Sequence, residues 1–143
     1  MANPIITGSV EVKSYSASTI ITTATTDENI IGNIASSGKL LRITSMVVHN
    51  IDGAAAATFQ LRKRDQDGTP MHSNVGPYQV AIGADVVAGT DLGGYHNISV
   101  AAANSLVVVD QSMGVTLQED ESYVMQASAA SDLSVEVHYS VIG

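Results

Sequence analysis

The last eleven residues, LSVEVHYSVIG (133–143), decide the fold class because apolar and polar side chains alternate along most of the segment. The residues that share one face are Leu133, Val135, Val137, Tyr139 and Val141. The other face carries Ser134, Glu136, His138 and Ser140. Successive side chains of a strand point to opposite faces, so this pattern predicts a strand with one buried and one wetter face, as in an antiparallel sheet.

Working back along the chain, the same period of two recurs in short segments separated by turn residues. It is clear in LLRITSMVVHN (40–50) and ATFQLRKR (57–64), and Asp52-Gly53 between them predicts a hairpin. It recurs in GVTLQ (114–118) and YVMQASA (123–129), for which a second hairpin is predicted.

Three further segments complete the prediction. TDENIIGNI (26–34) is the only plausible helix, but Gly32 weakens it and a strand or irregular segment is favoured. Two short strands are expected in 97–111, and the run Leu106–Val109 predicts a fully buried strand. Residues 65–77 hold Gly, Pro, Asn and Asp and predict a long loop of the kind often found at interfaces.

About eight short strands with turns between them predict an all-β protein, a single antiparallel β-sandwich of jelly-roll-like type with little or no helix. The 143 residues suit one domain, 1–143, in which residues 1–20 are a candidate extended N-terminal arm. Aromatic residues make up only 4% of the chain, so the core must be aliphatic.

Composition excludes several classes of function. The chain has no cysteine, which rules out disulfides, thiolate zinc sites and a cysteine nucleophile. Its net charge of −8 disfavours nucleic acid and anionic membranes as partners. The N-terminus lacks the pattern of a signal peptide, and no apolar run is long enough to span a bilayer. We therefore expect a soluble protein made in a cytoplasm.

Charge is unevenly distributed along the chain. All six basic residues lie in residues 1–64, whereas residues 65–143 hold ten acidic residues and no Lys or Arg. One interpretation is that the two parts interleave in one structure; the other is an acidic face that meets a basic face of another subunit. The basic cluster is a candidate subunit contact or a charged edge strand that blocks unwanted pairing. Its members are Lys39, Arg42, Arg62, Lys63 and Arg64.

No motif for catalysis, metal or cofactor binding survives inspection. DQDG (65–68) starts like a calcium loop, but its Gly comes too early and no Glu stands at position twelve. GNIASSGKLL (32–41) is one residue too long for a phosphate-binding loop and lacks the Ser or Thr that binds magnesium. No two of the four histidines have metal-pair spacing. His138 is two residues from Glu136 and could interact with it, but an ordinary cross-strand hydrogen bond is the favoured prediction.

Three consecutive acids, Glu119, Asp120 and Glu121, raise the question of a cation site. Neighbouring side chains in an extended segment diverge, so the favoured interpretation is the solvated tip of a turn. A weak divalent-ion site at a subunit junction is the alternative. The three acids are also candidate subunit contacts, opposite basic residues of a neighbour.

The segment SLVVVDQSMGVTLQEDESYVMQASAASDLSVEVHYSVIG (105–143) resembles the ending of small virion structural proteins of tailed bacteriophages. The shared features are an aliphatic strand, an acidic turn, a strand ending in Ala-Ser-Ala, a polar turn and a last strand with an aromatic residue. LLRITSMVVHNIDGAAAATFQLRKRD (40–65) resembles their opening hairpin. This chain departs from the pattern at Glu119–Glu121, where such proteins tend to include a glycine.

The resemblance implies a non-enzymatic capsid decoration (cement) protein that binds the major capsid protein on the outer capsid. It implies a homo-oligomer, with a trimer favoured, assembled in the host cytoplasm and carried on the virion. The predicted contacts are the N-terminal arm and the loop 65–77. The alternatives are a neck or tail component of the same virion and, with less support, a carbohydrate-binding β-sandwich, since sugar platforms use aromatic faces that are scarce here.

Overall fold

The computed structural model describes residues 11–24, 26–64, 70–71 and 98–143. These residues form ten strands and one short 3-10 helix, Gln111–Met113, between β7 and β8. The first five strands are β1 Val12–Ile20, β2 Glu28–Gly32, β3 Leu40–Asn50, β4 Ala57–Arg64 and β5 Pro70–Met71. The other five are β6 Ile98–Val100, β7 Ser105–Val109, β8 Thr116–Leu117, β9 Ser122–Ala127 and β10 Leu133–Ile142.

The strands form two antiparallel sheets. In sheet A the order is β1-β10-β3-β7, and the short strand β8 also pairs with β3. In sheet B the order is β2-β9-β4-β5, and β6 also pairs with β4. Within the described residues each sheet is therefore four strands wide, because two short strands share one side of a long one.

The order of pairing is that of a jelly roll. The first strand pairs with the last, β2 with β9, β3 with β7 and β4 with β6, as if one long hairpin were rolled into two layers. The predicted all-β, antiparallel, jelly-roll-like sandwich is confirmed. In sheet A, β3 from the basic part of the chain (residues 1–64) lies between β10 and β7 from the acidic part (residues 65–143). The two parts therefore interleave in one structure, which is the first of the two interpretations of the charge distribution.

The core lies between the sheets and is aliphatic, as the scarcity of aromatic residues predicted. β10 contributes Leu133, Val135 and Val137, which face Phe59 and Met125 across the sandwich and are all buried. The alternation that decided the fold class holds from Leu133 to Val137. A β-bulge then shifts the register between His138 and Tyr139, and the residues after it are only partly covered.

Three predictions about strand pairing are wrong for one reason. β3 and β4 do not form a hairpin, nor do β8 and β9, because each pair is divided between the two sheets. β4 is not an edge strand, since it lies between β9 and the strands β5 and β6. In a jelly roll most consecutive long strands cross from one layer to the other, so a turn signal between them does not indicate that they pair.

Local corrections follow from burial and register. The run Leu106–Val109, predicted as a fully buried strand, lies in β7, and 52% of its Val107 is exposed. Val108 and Val109 are buried, so only part of the strand faces the core. Val12–Ile20, expected in an arm, forms β1 and pairs with β10 along its whole length. The preference for a strand in 26–34 is confirmed by β2. No helix in the described ranges is long and apolar enough to cross a membrane.

Several predictions fall outside the described residues. They concern the first ten residues of the arm, the turn DQDG (65–68), most of the loop 65–77, and two of the histidines, His72 and His96. Within that loop, Pro70–Met71 pairs with the end of β4.

Candidate functional site

The acidic residues lie in the turn Gln118–Glu121, which joins β8 of sheet A to β9 of sheet B; we call it the acidic turn. The amide of Glu121 donates to the carbonyl of Gln118 at 3.1 Å and closes the turn. Asp120 adopts a left-handed conformation with φ of 63°, which Asp tolerates better than most residues. The turn is thus built on a residue whose conformation glycine would adopt most easily.

The three acidic side chains engage different parts of the protein and do not converge. Glu119 Oε1 accepts a hydrogen bond from the amide of Gly38, in the loop between β2 and β3. Glu121 Oε2 lies 2.7 Å from Lys63 Nζ of β4 and accepts from the amide of Gln118 at 2.8 Å. All three residues are half-buried, so the turn is more enclosed than the predicted solvated tip.

The pair Lys63–Glu121 joins the basic part of the chain to the acidic part. Only 17% of the Lys63 side chain and 12% of the Glu121 side chain are exposed. Removing such groups from water is costly, and the cost is offset here by the direct ion pair and by the hydrogen bond from Gln118. The contact holds the acidic turn against β4.

Asn33 fastens the same end of the sandwich and was not singled out from the sequence. Its side chain is buried, and its Nδ2 donates to the carbonyls of Lys39 at 2.7 Å and Leu117 at 3.2 Å. Its Oδ1 accepts from the hydroxyl of Ser37 at 2.8 Å. Its backbone amide and carbonyl bond the acidic turn at Glu121 and Asp120. The side chain of Asn33 therefore ties the β2–β3 loop to the end of β8, and its backbone holds the acidic turn beside them.

Two arginines of the basic cluster contact a carboxylate of the same chain. Arg62 and Arg64 of β4 both donate to Asp27, each through Nη2 to a different carboxylate oxygen. Only 1% of the Arg62 side chain is exposed, and 29% of that of Arg64. The two point to one side of β4, because they are two residues apart in a strand.

The remaining basic residues of the cluster, Lys39 and Arg42, are exposed at the start of β3. The candidate subunit-contact residues are therefore not one patch: Arg62 is buried, Lys63 and the acidic turn contact each other, and two cations face solvent. That any of them contacts a neighbouring subunit stays a prediction.

A second polar cluster lies on the outer face of sheet A, where β3 and β10 are neighbours. Glu136 Oε1 lies 2.6 Å from His138 Nε2, and Glu136 Oε2 lies 3.5 Å from His49 Nε2. His49 Nδ1 lies 2.6 Å from the hydroxyl of Ser105 on β7. An ionised carboxylate only accepts, so His138 Nε2 carries the proton and donates. The cross-strand hydrogen bond predicted for His138 is not what the structure shows: its side chain contacts Glu136, two residues away on the same strand, and it is Glu136 that reaches His49 across to β3.

These contacts lower the pKa of Glu136 from its ordinary value of 4.5. The hydrogen bond from His138 is the largest cause; partial burial acts in the opposite direction, and the charge of His138 and the contact with His49 add smaller lowering effects. Between 35% and 47% of each of these three side chains is exposed. The cluster favours the ionised carboxylate, which suits neither a general acid nor a nucleophile that needs shelter from water.

The described part of the chain holds no cluster of metal-ligating side chains. Among residues 11–24, 26–64, 70–71 and 98–143, no group of three or more histidine or acidic side chains is arranged to hold a metal ion. The acidic residues there act as acceptors for amides and partners for cations. Chemically, this arrangement fastens loops to strands.

Sequence reasoning missed two residues that organise these contacts, Asn33 and Asp27. The sequence does contain a signal for Asn33, which follows the apolar pair Ile30-Ile31 and precedes a turn that contains Gly38. A strand ends at such a point, and an asparagine side chain can bond the backbone groups that are left without partners there. Asp27 lies just before β2, in the segment 26–34. Its pairing with β4 depends on a contact 35 residues away, which no local pattern encodes.

Comparison with known proteins yields little. No family model matches the chain, and no curated protein matches its sequence. Among solved structures, a chain reported under "Bacillus endospore appendages form a novel family of disulfide-linked pili" is similar over 99% of this chain and 96% of that chain. The identity is 14% and the TM-score 0.43, and a likeness at this level carries no argument about function.

Proposed function

We propose that the chain is a non-enzymatic structural protein of a tailed bacteriophage, and that it decorates the outer capsid by binding the major capsid protein. One observation carries the proposal: in a jelly-roll sandwich, an architecture common among viral capsid proteins, the acidic turn and the three basic residues of β4 fasten the fold instead of forming a reactive site. The resemblance of residues 40–143 to phage virion proteins supports the same proposal.

The proposed mode of action is mechanical. A decoration protein must keep its shape while its exposed loops and edges contact neighbouring capsid subunits. Contacts such as Lys63–Glu121 and Asn33 with two loops restrict the ends of the sandwich and so support rigid binding. The exposed Lys39 and Arg42 are the basic residues that remain available to an acidic partner surface. The favoured trimer stays a prediction from the resemblance.

The direct test is to locate the protein on particles. Antibodies against the chain, imaged by electron microscopy on tailed particles from the host that encodes it, are expected to label the head surface evenly. Quantitative mass spectrometry should give a copy number comparable to that of the major capsid protein. Labelling at the neck or tail, with only as many copies per particle as a single ring of subunits holds, would favour the alternative of a neck or tail component. Absence of the protein from particles would overturn the proposal.

A glycan array separates the remaining alternative. Tyr15 and Tyr139 stack with ring centroids 5.6 Å apart at the edge of sheet A, and 46% of Tyr15 is exposed, so an aromatic surface exists. We expect no strong, specific binding. Specific binding that is lost in Tyr15→Ala would replace the proposed function with sugar recognition.

A further inference from the structure

Strand β1 is the most exposed long strand of the described structure. Seven of its nine residues are exposed, whereas one residue of β3 and one of β10 are exposed, and alternate side chains of β10 are buried from Leu133 to Val137. Among the described residues, six large hydrophobic side chains are exposed, and three of them lie on β1: Val12 at 59%, Tyr15 at 46% and Ile20 at 50%. Exposed apolar side chains gathered on one strand are typical of a surface that binds another protein.

β1 also presents an open edge. One side of it pairs with β10 through nine consecutive residue pairs without a bulge, and no strand of the described ranges pairs with its other side. Proteins usually protect such an edge with a proline, a bulge or several charges. β1 has no proline and one charged residue, Lys13, which pairs with Glu11 at 3.0 Å. Its backbone groups are therefore a template for strand addition.

Other edges of the two sheets are poorer templates. β2, the edge of sheet B, has five residues and a register shift between Asn29 and Ile31. The far edge of sheet A is divided between β7 and β8, which have five and two residues. β1 is thus the long, regular edge among those described, and strand addition needs that regularity.

The sequence of β1 is complementary to itself when it runs antiparallel to a second copy about Ser16. In that register Val12 lies opposite Ile20, which places exposed apolar side chains together. Ser14 lies opposite Ser18, and the large Tyr15 lies opposite the small Ala17. Lys13 lies opposite Thr19, so no like charges oppose each other.

We propose that two copies of this chain associate through β1, antiparallel and centred on Ser16, so that the two A sheets become one continuous sheet. The occupant of the edge is a second copy, because residue size, apolar character and charge match within the strand itself. A two-fold contact of this kind closes as a dimer. If the chain also forms the predicted trimer, two trimers joined by this two-fold contact make a hexamer. The proposal does not depend on the assignment of the chain to a virion.

Cysteine substitutions test the register directly, because the natural chain contains no cysteine. Directly opposed residues in an antiparallel pair lie within the Cα separation that a disulfide spans. Under mild oxidation Ser16→Cys is expected to form a covalent dimer with itself. Ser14→Cys alone and Ser18→Cys alone should form little, because like positions are then about 13 Å apart along the strand, whereas their mixture should cross-link.

The matched control is Ser99→Cys, an exposed serine on β6 of the other sheet, which is expected to stay monomeric on the denaturing gel. Native mass spectrometry of the unmodified protein should give two or six chains. Monomer or trimer masses at all concentrations would overturn the proposal. So would a dimer in which Ser16→Cys does not cross-link, or cross-links no faster than Ser99→Cys.

Charge variants test the same contact without oxidation. Ser16→Lys and Ser16→Asp each place like charges together at the two-fold axis, so each variant alone should lose the dimer by at least tenfold in affinity. Their equimolar mixture should recover it as a mixed dimer. Ser16 is exposed, so neither change should prevent folding, and circular dichroism checks this. Retained self-association of both variants would contradict the proposed axis.

Discussion

At the scale of single residues, the three acids of the acidic turn have different physical roles although they are adjacent. Glu119 accepts from Gly38 outside the turn, Glu121 pairs with Lys63 of β4 and also accepts from Gln118 within the turn, and Asp120 supplies a backbone conformation. A cluster of like charges is tolerated because the side chains diverge and because a cation, Lys63, meets one of them. Substitutions at adjacent positions should therefore change stability in different ways.

Replacing Glu121 with Gln should destabilise the protein by about 2 kcal/mol, because it leaves the half-buried Lys63 ammonium without its carboxylate. The free energy of unfolding from urea denaturation measures this. The control is Glu11→Gln, which breaks the exposed pair with Lys13 and should leave the urea midpoint unchanged. Equal effects of the two substitutions would contradict the assignment of Glu121 as the fastening residue.

The effect of substituting Asp120 on stability should depend on how readily the new residue adopts the left-handed conformation, not on the loss of the charge. Asp120→Ala is expected to cost about 1 kcal/mol, because alanine adopts a left-handed conformation less readily than Asp. Asp120→Gly should not lower stability, because glycine adopts this conformation freely and the change also removes one of three neighbouring charges. Thermal unfolding ranks the three proteins. If Asp120→Gly is less stable than Asp120→Ala, the left-handed backbone conformation is not what determines the effect of substitutions at this position.

The pH dependence of Glu136 follows from its contact with His138. Because its pKa in the folded state is lowered, Glu136 contributes stability above its ordinary value of 4.5, and this contribution is lost as the pH falls through the folded value. Carbon-13 NMR titration of the carboxyl group should give a pKa below 4.5, and His138→Ala should raise it towards 4.5. His49→Ala is the comparison and should raise it less; a pKa unaffected by His138→Ala would refute the cause.

At the scale of elements, strand ends are stabilised by loop contacts formed through buried asparagines. Asn33 follows β2 and its Nδ2 donates to the carbonyls of Lys39, just before β3, and of Leu117, which ends β8. Asn50 ends β3 and its Nδ2 donates to the carbonyls of Ala55 and Val100. The two lie at opposite ends of β3, so each end of the sandwich has one. Neither loop region forms regular structure, and the side-chain amide supplies the bonds that a sheet would otherwise supply.

Asn33→Ala should reduce the free energy of unfolding by about 2–3 kcal/mol, because it removes three hydrogen bonds and leaves buried carbonyls without donors. Hydrogen exchange at the amide of Asp120, which bonds the Asn33 carbonyl, should accelerate in the variant. Asn104→Ala, which removes an exposed and local bond to Ala102, is the matched control and should change neither measurement appreciably. Unchanged exchange at Asp120 would show that the loops hold without the amide.

At the scale of the whole molecule, the sequence predicts strands better than it predicts their partners. Alternation identified β3, β4, β9 and β10 because burial on one face acts on each strand separately. It failed for the hairpins because the path of the chain between layers depends on contacts such as β1 with β10, which are distant in sequence. The same holds for the acidic turn. Strand geometry predicted that the three acidic side chains diverge, but their partners Lys63 and Gly38 could be identified only from the three-dimensional structure.

That topology makes the final strand essential. β10 lies between β1 and β3 in sheet A, and its Leu133, Val135 and Val137 are fully buried. Ending the chain at Asp132 would remove the described partner of β1, open the inner edge of β3 and expose core side chains of both sheets. We expect this truncated chain to lack a cooperative unfolding transition in circular dichroism and fluorescence-dye melts, because the lost burial exceeds the marginal stability of a domain.

The matched control ends the chain at Ile142 and loses only Gly143, whose amide bonds the carbonyl of Glu11. It should melt cooperatively and close to the full chain. A peptide of residues 133–143 added to the truncated chain should restore part of the transition, because the vacant groove between β1 and β3 fits that strand alone. A truncated chain that melts cooperatively without the peptide would contradict the jelly-roll pairing of the first strand with the last, and would place the stabilising contacts elsewhere in the sandwich.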